Sequence, residues 1–194
     1  MKKFLQRLWR FIWADNSLLS WVVNVVLAFI IIKFLVYPGL GFLLATTNPV
    51  VAVVSGSMEH HETFDEWWPK KADFYEKLNI TKKDFEGFQF KNGFNKGDLM
   101  ILKGKKPSEL LIGQTIVFRG DAKEPVIHRL VSKQKAEGTY VLSTKGDNND
   151  AQLSYEKNIP EEQLIGQALI SVPFLGYVKI IFTEALTILQ GGSA

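Results

Sequence analysis

The side chains best placed for nucleophilic chemistry follow a strand-like run of apolar residues. Residues 49–54 are mostly β-branched and end abruptly in Ser55-Gly56-Ser57, the pattern of a buried strand that leads into a flexible turn. Strand ends present side chains to clefts, so Ser57 is a candidate nucleophile and Ser55 a candidate hydrogen-bond donor to an oxyanion. Taken alone, Ser-Gly-Ser is more often an ordinary polar turn.

A serine nucleophile needs a neighbouring base, and usually a third group that orients the base. Of the three histidines, two are adjacent in a charged stretch, whereas His128 lies in an otherwise apolar strand-like segment. Asp147 and Asp150 occupy a Gly-Asp-Asn-Asn-Asp turn that follows the next such segment. Each residue also has an ordinary interpretation. A strand histidine is commonly a core residue, and the turn suits plain turn chemistry or a loose calcium site.

Composition argues against metal and nucleic-acid chemistry. The chain has no cysteine, which excludes disulfides and cysteine-ligated metals. Its net charge of +3 is too small to indicate binding of nucleic acid. His60, His61, Glu62 and Asp65 invite a metal-site interpretation, but adjacent histidines point apart and the acids are not spaced as ligands on one helical face. We expect a solvated linker there, and no metal or organic cofactor.

The amino-terminal segments are predicted to hold these residues at a lipid bilayer. Residues 1–16 combine lysine and arginine with apolar residues at helical spacing, which indicates a helix in the membrane interface. Residues 17–44 form the predicted transmembrane anchor, with a kink or exit at Pro38-Gly39. Because the apolar run exceeds that of a cleavable signal peptide, a retained anchor is expected. The basic end predicts a cytoplasmic amino terminus and a catalytic domain on the other side.

Residues 45–172 are predicted to form a mainly β catalytic domain, a small barrel or a pair of sheets, because short strands alternate with Gly, Pro and Asp turns. The predicted strands are Pro49–Val54, Leu99–Leu102, Ile112–Arg119, Pro125–Val131, Tyr140–Thr144 and Gln163–Val172. Residues 59–96 interrupt this pattern as a charged, aromatic insertion between two strands. Within it we expect a helix at Lys70–Leu78 and a second helix capped by Thr81. Trp67-Trp68 suits an interfacial anchor, a cleft surface or local packing.

The tail, residues 173–194, is an apolar helix candidate interrupted by Lys179 and Glu184. Its unbroken part is short for a membrane span. We therefore expect a membrane-associated tail with an interfacial or tilted helix, and a second span is the alternative.

Six short segments in this order resemble the type I signal peptidases. They cover most of the chain from Asn48 to about Ile180, and they read NPVVAVVSGSM, NKGDLMIL, IGQTIVFR, VIHRLV, LSTKGDNND and IGQALISVPFLGYVKI. Bacterial members have a lysine at the place of His128. Histidine there resembles the archaeal and endoplasmic-reticulum, Sec11-like branch.

The resemblance implies the site residues. It makes Ser57 the acylating nucleophile, His128 its general base, and Ser55 with the Ser57 backbone N–H the oxyanion donors. Of the two acids, we take Asp150 as the partner of His128 and Asp147 as a structural or electrostatic neighbour. The second acid of the family's motif, at its usual spacing, would fall near Leu153, which is not acidic. The family's proline after Met58-Glu59 is also replaced by His60.

The function implied is removal of signal peptides from secreted and membrane precursors by a membrane-bound serine endopeptidase. Small substrate residues would fill shallow apolar pockets, for which we propose Val53, Val54 and Met58 as lining. The expected location is the cell membrane or the endoplasmic-reticulum membrane, with a single span. Expected partners are signal peptides, the lipid bilayer, and the translocation machinery or other signal peptidase subunits. The alternatives are a catalytically silent module that binds signal sequences and a self-cleaving repressor-type protease, which uses lysine and needs no anchor.

Overall fold

A computed structural model describes residues 2–120 and 124–189 of the chain. The chain forms two compact units, Met1–Leu43 and Leu44–Ala194. The first residue of the predicted basic segment and residues 190–194 of the predicted tail lie outside the described residues.

The described residues form six α-helices and seven strands. The helices are α1 (Lys2–Ala14), α2 (Leu18–Ile31), α3 (Tyr37–Leu43), α4 (Phe64–Glu76), α5 (Lys82–Glu86) and α6 (Tyr177–Leu189). The strands are β1 (Val50–Ala52), β2 (Leu99–Lys103), β3 (Thr115–Phe118), β4 (Val126–Ala136), β5 (Thr139–Lys145), β6 (Ile159–Pro160) and β7 (Leu164–Val172).

The amino-terminal unit pairs an amphipathic helix with a long apolar one. Ser17 caps α2 by accepting a hydrogen bond from the Ser20 N–H. Ser20 Oγ donates to the Phe11 carbonyl at 2.5 Å, and Asn24 Nδ2 donates to the Ile12 carbonyl at 2.9 Å. The last carbonyls of a helix have no partner within it, so these polar side chains satisfy the end of α1.

The apolar helix continues past its proline. Leu18–Leu43 is 26 residues long and contains an 18-residue stretch with a mean hydropathy of 2.5, so it is long and apolar enough to cross a membrane. Proline lacks an N–H and its ring crowds the preceding helical turn. A widened π-helical turn, Ile32–Val36, precedes Pro38, and there the Tyr37 N–H donates to the Ile32 carbonyl. The wider turn lets the helix run through Pro38 to Leu43.

The second unit is built on one curled antiparallel sheet with the strand order β1-β2-β7-β3-β4-β5-β6. Register shifts at Ile101/Leu102, Val117/Phe118 and Leu130/Ser132 interrupt three of the strand pairs. Such bulges bend strands and increase their twist, which suits a half-barrel. The mainly β fold predicted from the sequence is confirmed. The sequence pattern missed the two-residue β6, which contains a proline.

The insertion between β1 and β2 folds as a small helical unit around its own aromatic cluster. Trp67, Trp68, Tyr75 and Phe85 are buried together against Val131 of β4. Trp67-Trp68 is therefore local packing in this structure. The predicted Thr81 cap is confirmed by a capping box with Asp84. The preceding helix begins at Phe64 rather than Lys70, because Thr63 and Glu66 form an earlier capping box.

Candidate active site

Ser57 and His128 meet although 71 residues separate them in the chain. Ser57 lies in the turn that follows β1, and His128 is a buried residue of β4. The distance from His128 Nε2 to Ser57 Oγ is 2.9 Å. This geometry is that of a serine hydroxyl held by the base that would accept its proton.

The carboxylate beside His128 is that of Glu156. Glu156 Oε1 lies 2.5 Å from His128 Nδ1, within ion-pair distance, although the two atoms are not aligned for a hydrogen bond. The buried carboxylate also accepts hydrogen bonds from the Gly146 N–H at 2.9 Å and the Leu153 N–H at 2.7 Å. Serine, histidine and a carboxylate therefore stand in the order of a catalytic triad.

Asp150 does not occupy the place predicted for it. Its side chain is fully exposed, and its partner is Lys71 Nζ at 2.7 Å. The hydrogen bond from Lys71 lowers the pKa of this carboxyl. Glu156 was not predicted from the sequence, because the family's usual spacing points to Leu153, three residues before it. The available signal was the next acid along the chain, in a short 3-10 turn at Ser154–Glu156.

Asp147 lies at the centre of a buried charge cluster. Arg129 donates to it from Nε at 2.9 Å and from Nη2 at 2.5 Å, and Tyr75 Oη donates at 2.8 Å. Burial alone would raise the pKa of Asp147. The Arg129 guanidinium and the hydrogen bonds from His60 and Arg129 outweigh that effect and bring the pKa well below its ordinary value. Asp147 is therefore an ionised partner of Arg129 rather than of His128.

The loop that carries Asp147 also holds the backbone of Ser57. The Asn148 N–H donates to the Ser57 carbonyl at 2.8 Å, and Asn148 Nδ2 donates to the Gly56 carbonyl at 3.0 Å. Gly146 passes so close that a Cβ there would stand 2.9 Å from His128 Nε2 and 3.0 Å from the Ser57 carbonyl oxygen. Only a glycine fits this approach without displacing a site residue.

His60 is the second position at which the structure corrects the sequence-based interpretation. Its side chain is 1% exposed, not part of a solvated linker, and its Nε2 lies 3.2 Å from Asp147 Oδ2. The ring stacks on Trp67 with 3.9 Å between centroids. His61 points the other way and is 68% exposed. Among residues 2–120 and 124–189, no group of three or more potential metal ligands is assembled.

A cavity of about 170 Å³ opens beside Ser57. Its two walls are residues 52–55, which follow the edge strand, and residues 124–128 at the start of β4. Val53 and Val54, proposed above as lining of the substrate pockets, lie on the first wall, and Ser55 Oγ stands 3.2 Å from Ser57 Oγ. Met58, proposed with them, does not line this cavity. It is a buried core residue whose Sδ accepts a hydrogen bond from the Asp147 N–H.

The chain is similar to fungal signal peptidase subunits. It is 31% identical over 159 residues to the signal peptidase complex catalytic subunit sec11 of Sclerotinia sclerotiorum, covering 78% of this chain and 73% of that protein. The corresponding subunits of Verticillium alfalfae and Pyricularia oryzae are 28% and 29% identical over the same coverage. No family model matches the chain.

The chain belongs to the Sec11-like type I signal peptidases. The resemblance drawn from the six sequence segments is thereby confirmed. In this signal peptidase the apolar helix Leu18–Leu43 precedes the β unit, as expected for a membrane protein. The position of the family's proline is occupied by the buried His60, and the carboxylate next to the histidine comes from Glu156.

Proposed function

We propose that this protein is a membrane-bound serine endopeptidase that removes amino-terminal signal peptides from secretory and membrane precursors. The observation that carries the proposal is the 2.9 Å contact between Ser57 Oγ and His128 Nε2 at the edge of an open cavity. The names of its relatives, catalytic subunits of a signal peptidase complex, support the same activity. Ser57 is the nucleophile and His128 the general base. Glu156 takes the place first assigned to Asp150.

The acylation step follows from these contacts. His128 Nε2 accepts the proton of Ser57 as Oγ attacks the scissile carbonyl carbon, and the resulting imidazolium is stabilised by the buried Glu156 carboxylate. The negative charge on the tetrahedral oxygen is held by the Ser57 N–H and the Ser55 hydroxyl. His128 then returns the proton to the departing amine. Water, activated by the same histidine, hydrolyses the acyl-enzyme and frees Ser57.

The substrate lies extended between the two cavity walls. Within the described residues β1 pairs only with β2, so its other edge has no strand partner, and the substrate adds there as a strand. The small cavity, with Val53 and Val54 on one wall, admits short apolar side chains at the first and third positions before the cleaved bond. We therefore expect a preference for small residues near the cleavage site.

The membrane segments bring the site to its substrate. The basic α1 stays on the cytoplasmic side, Leu18–Leu43 crosses the endoplasmic-reticulum or cell membrane, and residues 45–172 lie outside the cytoplasm. The helix α6 of the tail rests on the same membrane through the exposed apolar side chains of Val178, Ile181 and Phe182. Other signal peptidase subunits and the translocation machinery are its proposed partners. A protease-protection assay in vesicles that finds the β unit on the cytoplasmic side contradicts this orientation.

Cleavage of a precursor with Ala-x-Ala before its cleavage site tests the activity. The full chain in detergent should cut this precursor, and Ser57→Ala and His128→Ala should each abolish the cut without unfolding the protein. Circular dichroism and thermal unfolding of each variant provide the folding control. Undiminished cleavage by Ser57→Ala overturns the proposal. Binding of the precursor without cleavage by the unmodified chain points instead to the silent signal-sequence-binding module.

A further inference from the structure

The insertion sends two polar side chains, those of His60 and Tyr75, into the buried charge cluster beside the active site. His60 Nε2 faces the carboxylate of Asp147, which only accepts hydrogen bonds, so Nε2 carries the proton of this contact. The ring stacks on Trp67 and lies close to Gly93, where a Cβ would come within 2.7 Å of His60 Cδ2. These two contacts, both with residues of the insertion, restrict the position of the ring and of its Nε2.

Asp147 is tied in turn to both residues of the proposed catalytic pair. It binds Arg129, which follows His128 in β4. It also precedes Asn148, whose N–H and side-chain amide hold the carbonyls of Ser57 and Gly56. A shift of Asp147 is therefore passed to the nucleophile through Asn148 and to the base through Arg129.

His60 connects the segment that follows Ser57 to the loop that holds the Ser57 carbonyl. It lies three residues after Ser57 in the chain, and its side chain contacts Asp147, which belongs to that loop. The backbone of the nucleophile is thus fixed from both sides, by residues 146–148 and by the segment that ends at His60. Gly93 and Phe94 reinforce that segment, since the Phe94 N–H donates to the Met58 carbonyl at 3.1 Å.

We propose that His60 is a positioning residue of this peptidase, which acts through Asp147 to hold Ser57 at hydrogen-bond distance from His128. The inference rests on the proposed function, and it gives the insertion at residues 59–96 a role in that activity. His60 does not touch the substrate. A displacement of about 1 Å between reacting groups costs about 10²-fold in rate, so the effect should fall on kcat rather than on KM.

Four variants of the full chain in detergent test the proposal, each assayed for kcat and KM with the Ala-x-Ala precursor. His60→Gln places its amide nitrogen near the position of Nε2 and can still donate to Asp147. His60→Asn is shorter and its amide reaches only the position of Nδ1. His60→Ala removes the donor, and His61→Ala is the matched control because His61 is exposed.

We expect His60→Ala and His60→Asn to lower kcat about 10²-fold with little change in KM, and His60→Gln to recover most of the loss. His61→Ala should match the unmodified chain. Equal kcat values for His60→Gln and His60→Asn overturn the proposal, and so does a His60→Ala protein as active as the control. If His60→Ala does not fold, the kcat values of His60→Gln and His60→Asn decide whether the proposal holds, since both side chains fill the space of the histidine. Ser57-dependent cleavage by the unmodified chain tests the proposed function separately.

Discussion

Replacing Glu156 by glutamine tests whether the proposed triad uses the carboxylate that the structure places beside His128. The substitution keeps the size of the side chain and removes its negative charge. Its effect depends on the protonation of His128, because the charge of Glu156 stabilises an imidazolium far more than a neutral ring. The imidazolium forms only as Ser57 attacks, so the loss should appear in kcat and leave KM nearly unchanged.

The expected size of the effect follows from the distance and the burial. Glu156 Oε1 is 2.5 Å from His128 Nδ1, and both side chains are buried. Opposite unit charges 4 Å apart at an effective dielectric constant near 20 attract each other by about 4 kcal/mol. A tenfold change in rate corresponds to about 1.4 kcal/mol. We therefore expect kcat to fall about 10³-fold, close to the loss of about 10⁴-fold when the acid of a Ser-His-Asp triad becomes an amide.

Steady-state cleavage of the Ala-x-Ala precursor measures the effect, with Asp150→Asn as the matched control. Asp150 is exposed and pairs only with Lys71 among the ion pairs of the described residues, so its amide should change kcat by less than about twofold. Glu156→Asp keeps the charge but shortens the side chain, so its kcat should lie between those of Asp150→Asn and Glu156→Gln. Thermal unfolding shows whether each variant is folded. Our reasoning is refuted if Asp150→Asn is as damaging as Glu156→Gln, or if folded Glu156→Gln keeps its activity.

Two further variants probe the surroundings of the pair. Gly146→Ala should lower kcat by about 10²-fold or more, because the new Cβ would lie 2.9 Å from His128 Nε2; Gly39→Ala, where a Cβ has no atom within 4 Å, is the control. Full activity of Gly146→Ala contradicts the close approach. Asp147→Asn should destabilise the chain by about 3–5 kcal/mol at neutral pH, because Arg129 loses its buried counter-charge. Since the pKa of Asp147 is lowered in the folded protein, its contribution is present above pH ~4 and is lost below it. The free energies of unfolding of the unmodified chain and of Asp147→Asn, measured between pH 2 and 7, should therefore approach each other in acid. A difference between them that stays constant over this range contradicts the assignment.

Local patterns were sufficient to predict most of the fold. The strands from β2 to β5 and β7 follow from apolar runs bounded by turn residues, and Thr81 caps its helix through contacts within four residues of the chain. The long apolar run likewise predicted the helix that ends at Leu43. These features depend on interactions between residues that are close in the sequence, so the sequence alone displays them.

The start of α4 shows where a local rule is too simple. The sequence predicted a helix from Lys70, the residue that follows Pro69. The structure continues the helix through Pro69 from Phe64. The longer helix is stabilised by Trp67 and Trp68, which it buries against Tyr75 and Phe85. Burial of large aromatic side chains outweighs one lost backbone hydrogen bond.

By itself, the sequence placed a serine at the end of one predicted strand and a histidine within another, in a β domain that follows a long apolar helix. The local patterns gave these positions, and the resemblance to the signal peptidases gave the prediction that the two residues act together. Only the tertiary structure decided which acid lies beside His128. Asp147 is bound by Arg129, and Asp150 turns outward to Lys71. Glu156 reaches His128 because the chain folds back after the turn. The burial of His60 was decided in the same way. Which of several nearby polar groups meets a given partner depends on the path of the loops, and contacts between distant segments set that path.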